Sequence, residues 1–304
     1  IKEDDPITAE KAGELFKSAA DIGMMCIVYS DGTKQYKILE DQNYLSCYLR
    51  IVPENGIVYG NSVTNIKSEK AMELNQVELN DEIYRTDSDA YDLRDKIGYS
   101  VKAYIKTISD DEKHIVYYEE KRNSETKIAD SDISEITSDR IEYYGDSDKK
   151  EYVKFDKSAY VIYNGTLCTV YDEKTLNPFK NSEKDGYISA VDNNGDGKAE
   201  VLYVHAYDSY VVENIIGNVI YNKFRSADIL DLTDTDRIDI ENIVGEPIKF
   251  EQIEKNDVIC AEKDMNGDIK RIVTGIDRII SSITSYDGSS DEITIGETKY
   301  TLSN

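Results

Sequence analysis

Carboxylate and amide side chains recur at every second position in VDNNGDGKAEVLYV, residues 191–204: Asp192, Asn194 and Asp196, followed by Glu200. Oxygen donors at alternate positions of a tight turn suit a hard cation such as calcium, which needs six or more oxygens converging within a few ångströms. Counted from Asp192, the residues Asp192, Asn194 and Asp196 take the first, third and fifth places. Gly197 at the sixth permits a sharp bend, the Lys198 carbonyl serves at the seventh, and Glu200 falls at the ninth. The pattern D-x-N-x-D-G-x-x-E fits the first part of an EF-hand loop. It departs at the twelfth place, where Tyr203 stands instead of a bidentate glutamate. The flanking DGYISAV and VLYVHAY read as strands, so the spacing predicts a calcium clasp closing a β-hairpin. With so few carboxylates its Kd should be on the order of 10⁻⁴–10⁻³ M. At ten times that Kd, calcium adds about 1.4 kcal/mol to stability. A polar turn without metal is the competing reading.

Other candidate chemistry is weaker. EKDMNGDIKR sets Asp264, Asn266 and Asp268 at alternate positions, but Ile269 follows Asp268 where a glycine is needed, and an Asn-Gly hairpin turn explains the stretch. The chain has no G-x-S-x-G, no H-E-x-x-H and no P-loop. His114 and His205 fall in strand patterns and read as strand residues, not general bases. Cys26, Cys47, Cys168 and Cys260 form no CxxC, and each sits among apolar or tyrosine residues, so they are expected to be small buried hydrophobes. No catalytic residue is assigned, and the expectation is a protein that is not an enzyme.

Composition narrows the partners. Asp and Glu number 61 against 36 Lys and Arg, a net charge of −25, and a surface that negative repels nucleic-acid phosphates and anionic lipid. Nucleic acid is therefore excluded as a partner. No apolar run reaches membrane-span length, so insertion is not expected, and the opening IKEDD is not a signal peptide. With 24 Tyr, 5 Phe and no Trp, the apolar content favours strands buried on one face and wet on the other.

The elements that must hold the loop follow from the same patterning. DPITAEKAGELFKSAADIG reads as the one clear helix, with Ala12, Leu15, Phe16 and Ala19 on one face and Gly23 as its stop. Beyond it, turn signals recur about every ten residues: Asp31-Gly32, Asn55-Gly56, Asn80-Asp81, Asp110 to Lys113, Gly145-Asp146 and Asn164-Gly165. That spacing predicts a mainly β chain of several small barrel or sandwich modules in tandem, with one N-terminal helix. The expected modules are 1–50 (helix plus hairpin), 51–135 (a small barrel), 136–250 (a β module carrying the calcium loop) and 251–304 (a second small barrel). Residues 56–86 and 276–303 parallel each other, strand, strand, short turn, then a strand with Tyr, as two copies of one small barrel would.

At the N-terminus, DPITAEKAGELFKSAADIG resembles the end of an S-layer homology module, whose closing signature runs I-T-R-A-E into a helix. Ile7, Thr8 and Glu10 match, and Ala9 stands where the arginine is expected. The pieces NGIVYGNSVTNI, QVELNDEIY, IGYSVKAYI, SAYVIYNGTL, YISAVDNNGDGKAEVLYVHAYDSYVV and EITIGETKYTLS, in that order, resemble the β-rich region that follows such modules in surface proteins of Gram-positive, clostridia-like bacteria. The resemblance implies a secreted, non-catalytic surface protein, at the cell surface or in the wall, that assembles or displays a layer with calcium support. Its expected partners are further copies, other surface-layer proteins or a cell-wall polymer. The rival expectations are an adhesin, a phage virion decoration or tail binding module, and an accessory domain of a wall hydrolase or protease.

Overall fold

The structure, a computed structural model, describes residues 23–39, 43, 45–68, 71–86, 93–145, 149–168, 171–180, 184–233, 238–275, 283–287, 292–295 and 298–301. Among these the chain is mainly β, with only short helical turns such as Glu173–Leu176, which Asp172 caps through the Lys174 and Thr175 amides. The helix expected over residues 5–22, and with it Ile7, Thr8 and Glu10, lies outside the described residues. The chain divides into two compact units, residues 1–205 and 206–304. This boundary falls inside the module expected over 136–250.

The first unit opens on a hairpin of β1 (Gly23–Val28) and β2 (Lys34–Leu39) around Asp31-Gly32. A closed barrel follows, built from β3 (Ile51–Gly60), β4 (Gln76–Leu79), β5 (Glu82–Thr86), β6 (Ser100–Ser109) and β7 (Glu112–Glu120), in the order β3-β4-β5-β7-β6. Alternation drives it. Val77 and Leu79, Tyr84, and Val101, Ala103 and Ile105 turn inward and are buried, while Gln76, Glu78, Lys102 and Tyr104 turn outward. Burying each large side chain contributes about 1.5–3 kcal/mol.

One expected turn is a strand. Asn55-Gly56 lies within β3, in register with Lys102 and Val101 of β6. Packing overrides turn propensity here, because β3 changes partner from β6 to β4 just beyond and the Asn80 side chain folds over that corner. Its Oδ1 accepts from the Ile57 amide at 3.2 Å and its Nδ2 donates to the Asn55 carbonyl at 3.2 Å. A Cβ on Gly56 would lie 2.7 Å from Leu79 Cγ and 2.8 Å from the Asn80 amide, so the glycine leaves room for the fold-over.

The remainder of the first unit is a sheet of β8 (Ser124–Ala129), β9 (Ile133–Ile136), β10 (Arg140–Tyr144), β11 (Lys150–Tyr163), β12 (Thr166–Cys168), β13 (Asp185–Asp192) and the first part of β14 (Lys198–Ile216). β8 runs antiparallel to β13, β13 pairs with β14, and β14 runs parallel to β11. Val191, Val201, Tyr203 and Ile162 from this sheet pack into the same core as the barrel side chains.

In the second unit the rest of β14 pairs with β15 (Val219–Asn222) and β18 (Val258–Lys263). β16 (Ile229–Asp231) pairs with β15, and β19 (Ile269–Gly275) joins β18 to β17 (Asp239–Asn242). Tyr210, Val212, Ile220, Leu230, Ile259 and Ile272 form its core. β20 (Ile283–Asp287), β21 (Glu292–Ile295) and β22 (Thr298–Thr301) form a three-stranded antiparallel sheet. The second barrel expected over 251–304 is thus not closed among the described residues. β18 and β19 are spent on the sheet with β14, and the remaining three strands are too few to close.

The cysteine expectation also needs correction. Cys168 is buried and Cys260 half-buried, but Cys26 and Cys47 are exposed. Cys26 sits on a hairpin whose two strands pair with no other strand among the described residues, and Cys47 on a short turn of helix, Leu45–Leu49, in which no residue is buried.

Candidate metal centre

The acidic loop occupies residues 193–197, between the paired strands β13 and β14. Asp192 ends β13 and Glu200 is the third residue of β14, so the hairpin itself sets these two carboxylates side by side. Asp196 comes back over them from the loop, and carboxylate oxygens of Asp192, Asp196 and Glu200 lie within 4.8 Å of one another.

Backbone amides hold the cluster. Asp192 Oδ1 accepts from the Asn194 and Gly195 N–H groups at 3.1 and 2.6 Å, and its Oδ2 from Gly197 N–H at 2.8 Å. Asp196 Oδ1 accepts from Lys198 N–H at 2.9 Å, and Asn194 Oδ1 from Asp196 N–H at 2.8 Å. Gly195 and Gly197 have φ of +81° and +85°, the left-handed region where a side chain is strained, and this doubles the chain back so that its amides face Asp192.

The two flanking carboxylates are tuned in opposite directions. Burial pushes the Asp192 carboxyl up, but amides led by Gly195 and Gly197 outweigh it and hold it below the ordinary carboxylate range. Burial dominates at Glu200 and raises it, the Asn193 amide opposes, and the charges of Asp192 and Asp196 raise it further. Ionising Glu200 therefore works against the charges of its neighbours, and a cation at the cluster would relieve that repulsion.

Of the five residues the sequence singles out, the structure brings together Asp192, Asp196 and Glu200. Asn194 is close by but turned: its Nδ2 donates to Glu200 Oε1 at 2.6 Å, so its amide must rotate to offer oxygen to a metal. Lys198, singled out for its carbonyl, is the first residue of β14 directly after the loop, and its side-chain ammonium pairs with Asp156 at 2.9 Å. Tyr203, at the twelfth place, is buried with its hydroxyl donating to the Ile97 carbonyl, and takes no part in the loop. A donor set of three carboxylates and one rotatable amide, all oxygen, fits a hard cation and leaves coordination positions for water.

Sequence spacing missed Asn193. Its amide donates to Glu200 Oε2 at 2.8 Å, and its side chain donates to the Gly98 carbonyl at 2.6 Å, pinning the loop to the segment between β5 and β6. No pattern in the sequence marks it, because its partner is distant along the chain. Also missed is a groove of about 460 Å³ beside the loop, where Tyr152, Lys154, Ser124 and Thr126 face Asp192 and Asp196.

The second alternating stretch is already neutralised. Asp264 Oδ1 accepts from the Asn266 and Asp268 amides at 2.9 and 3.0 Å, and its Oδ2 faces Lys270 Nζ at 3.1 Å. Burial pushes Asp264 up, but Lys270 and those amides hold it below the usual range. The histidines are strand residues, as expected: His114 contacts Glu112 at 2.9 Å, and His205 stacks on Tyr187 with centroids 4.5 Å apart. Among the described residues no helix is long and apolar enough to cross a membrane. No protein-family model matches the chain, and no curated protein matches it.

Proposed function

We propose that this chain is a non-catalytic, extracellular structural protein of a bacterial surface layer, assembling through its β modules with calcium support. The observation that carries the calcium part is the convergence of Asp192, Asp196 and Glu200 within 4.8 Å at the tip of a hairpin whose strands are packed into a barrel core. A cation there offsets repulsion within the loop, and divalent cations in the medium offset repulsion between copies carrying −25 each. Calcium titration of the chelator-treated protein, with light scattering in parallel, tests this. Expected are a binding heat at millimolar calcium and growth of the scattering species, reversed by chelator. No heat, or scattering from an unchanged monomer in both states, overturns it.

The groove beside the loop supports a second reading, an adhesin or a phage decoration or tail module. Tyr152 offers an exposed ring, and hydroxyl, ammonium and carboxylate groups surround it, as a polar ligand requires. Retention on immobilised wall polysaccharide, abolished by Tyr152→Ala, would favour it over the layer.

A further inference from the structure

Four asparagines of the chain precede a glycine: Asn55, Asn164, Asn194 and Asn266. Such a pair carries a latent reaction of its own. The glycine nitrogen can attack the asparagine carboxamide carbon and close an imide ring, because no Cβ on the glycine blocks the approach. The reaction is helped by a base at the glycine N–H, a donor at the carboxamide oxygen and an acceptor at the departing amide.

Asn194 has all three. Gly195 N–H donates to Asp192 Oδ1 at 2.6 Å, so a carboxylate stands at the proton that must leave. Asn194 Oδ1 accepts from Asp196 N–H at 2.8 Å, where negative charge develops as the nitrogen attacks. Asn194 Nδ2 donates to Glu200 Oε1 at 2.6 Å, which holds the group that departs. Both Asn194 and Gly195 are exposed, and the space where a Gly195 Cβ would stand is open.

The other pairs are placed differently. Asn55 and Gly56 are fixed in β3 opposite Lys102 and Val101. Asn164 is 1% exposed, which keeps water from it. Asn266 is the telling comparison, since it is exposed and lies in the other alternating stretch of acids. There the glycine N–H goes to the Asp264 carbonyl at 3.0 Å, and the Asp264 carboxylate is occupied by the Asn266 and Asp268 amides and by Lys270. A peptide carbonyl is no base, so this pair lacks the first of the three aids.

We propose that Asn194 is a self-modification site, at which the loop's own groups convert the carboxamide to a carboxylate. The Gly195 nitrogen bonds to Asn194 Cγ, and its proton passes to Asp192 Oδ1. The Cγ–Nδ2 bond then breaks, and Nδ2 leaves as ammonia with that proton returned through water. A water molecule next adds at Cγ, whose oxygen the Asp196 N–H polarises. The bond from Cγ to the Gly195 nitrogen breaks, and a proton of that water restores the N–H. One water is consumed and one ammonia released, and nothing is oxidised or reduced. The product is an aspartate at the third place of the loop. Four carboxylates then stand where three did, and the rotation that the Asn194 amide needs to face a metal falls away. Affinity in such loops is set in part by ligand charge, so calcium should bind more tightly to the product. That consequence deepens the calcium reading above and rests on it, whereas the reaction at Asn194 does not.

Peptide mass mapping of the whole, freshly purified chain, incubated with chelator at neutral pH, tests the reaction, with aspartate and isoaspartate separated. Asn194 is expected to convert at least about tenfold faster than Asn266, since a positioned base alone contributes that much or more, and chiefly to aspartate. In denaturing urea the difference should vanish, because it comes from the folded loop. Asp192→Asn keeps an acceptor for the Gly195 N–H but removes the base, so Asn194 should slow towards Asn266. Equal rates in the folded wild type overturn the proposal, as do a difference that persists in urea, an undiminished rate in Asp192→Asn, or isoaspartate as the main product. Calcium titration then compares fresh wild type, aged wild type and Asn194→Asp, the last two expected to bind about tenfold more tightly. Fast conversion with no calcium heat in any form supports the modification and overturns the calcium reading. Calcium heat from a chain whose Asn194 stays intact overturns the modification and leaves that reading standing.

Discussion

Replacing Glu200 by Gln should make two properties move in opposite directions. In the metal-free protein Glu200 is held above its ordinary 4.5 by burial and by the charges of Asp192 and Asp196, so its ionised form is disfavoured where it stands. A neutral amide of the same shape removes that repulsion while still accepting the Asn193 N–H bond, and the exposed Asn194 Nδ2 turns from residue 200 to water while its Oδ1 stays on the Asp196 N–H. The melting temperature without calcium should therefore equal or exceed that of wild type. The calcium response should shrink. At ten times the wild-type Kd, the wild-type gain is about 1.4 kcal/mol. A tenfold weaker Kd, on the order of what losing one of three carboxylates brings, cuts the gain to about 0.4 kcal/mol. In a unit of this size those gains correspond to melting shifts of about 3–5 °C and about 1 °C. Differential scanning calorimetry with calcium and with chelator measures both. A Glu200→Gln protein that keeps the full calcium shift, or that melts several degrees lower without metal, would refute the reasoning.

Calcium binding should weaken as pH falls through the raised pKa of Glu200, with the proton it displaces visible as a buffer-dependent heat. Asp192 gives the opposite sign in the metal-free protein. Its folded pKa is depressed, so its contribution is present above the unfolded value of 3.8 and lost as pH falls through the folded one, which acid unfolding of Asp192→Asn should flatten. Gly56→Ala should cost about 1–3 kcal/mol in urea unfolding of the barrel, because Leu79 and Asn80 must move to admit the methyl. Lys270→Met leaves the Asp264 carboxylate buried without its cation. A loss of about 1–2 kcal/mol at neutral pH is expected, discounted for the partial exposure of Lys270, and it should narrow in acid as Asp264 protonates.

The β class was legible because alternation and turn chemistry are local, and Asp31-Gly32, Asn80-Asp81 and Asn164-Gly165 do mark turns. Asn55-Gly56 was misread because the reason for its strand conformation, the fold-over of Asn80, lies across the barrel. Asp192, Asp196 and Glu200 could be read together because a hairpin maps sequence spacing directly onto distance. Asn193 could not, since its partner Gly98 is set by tertiary packing. Alternating acids at Asp264 and Asp192 look alike in sequence. What separates them is Lys270, whose ammonium pairs with Asp264, whereas the ion pair of Lys198 is with Asp156, outside the loop. Exposure of Cys26 and Cys47 was hidden because apolar neighbours in sequence do not guarantee a second layer in space.

The barrel closes through a short parallel seam, Arg85 opposite His114 and Thr86 opposite Ile115, while its other contacts join segments near in sequence or the long β3–β6 edge. Short-range pairings form early and long-range ones late, because closing a loop costs chain entropy before any contact rewards it. Folding therefore builds a meander and a hairpin first and clasps them last. The final step joins the β3–β6 edge and the parallel seam, and only then is the core that the two pieces share sealed from water.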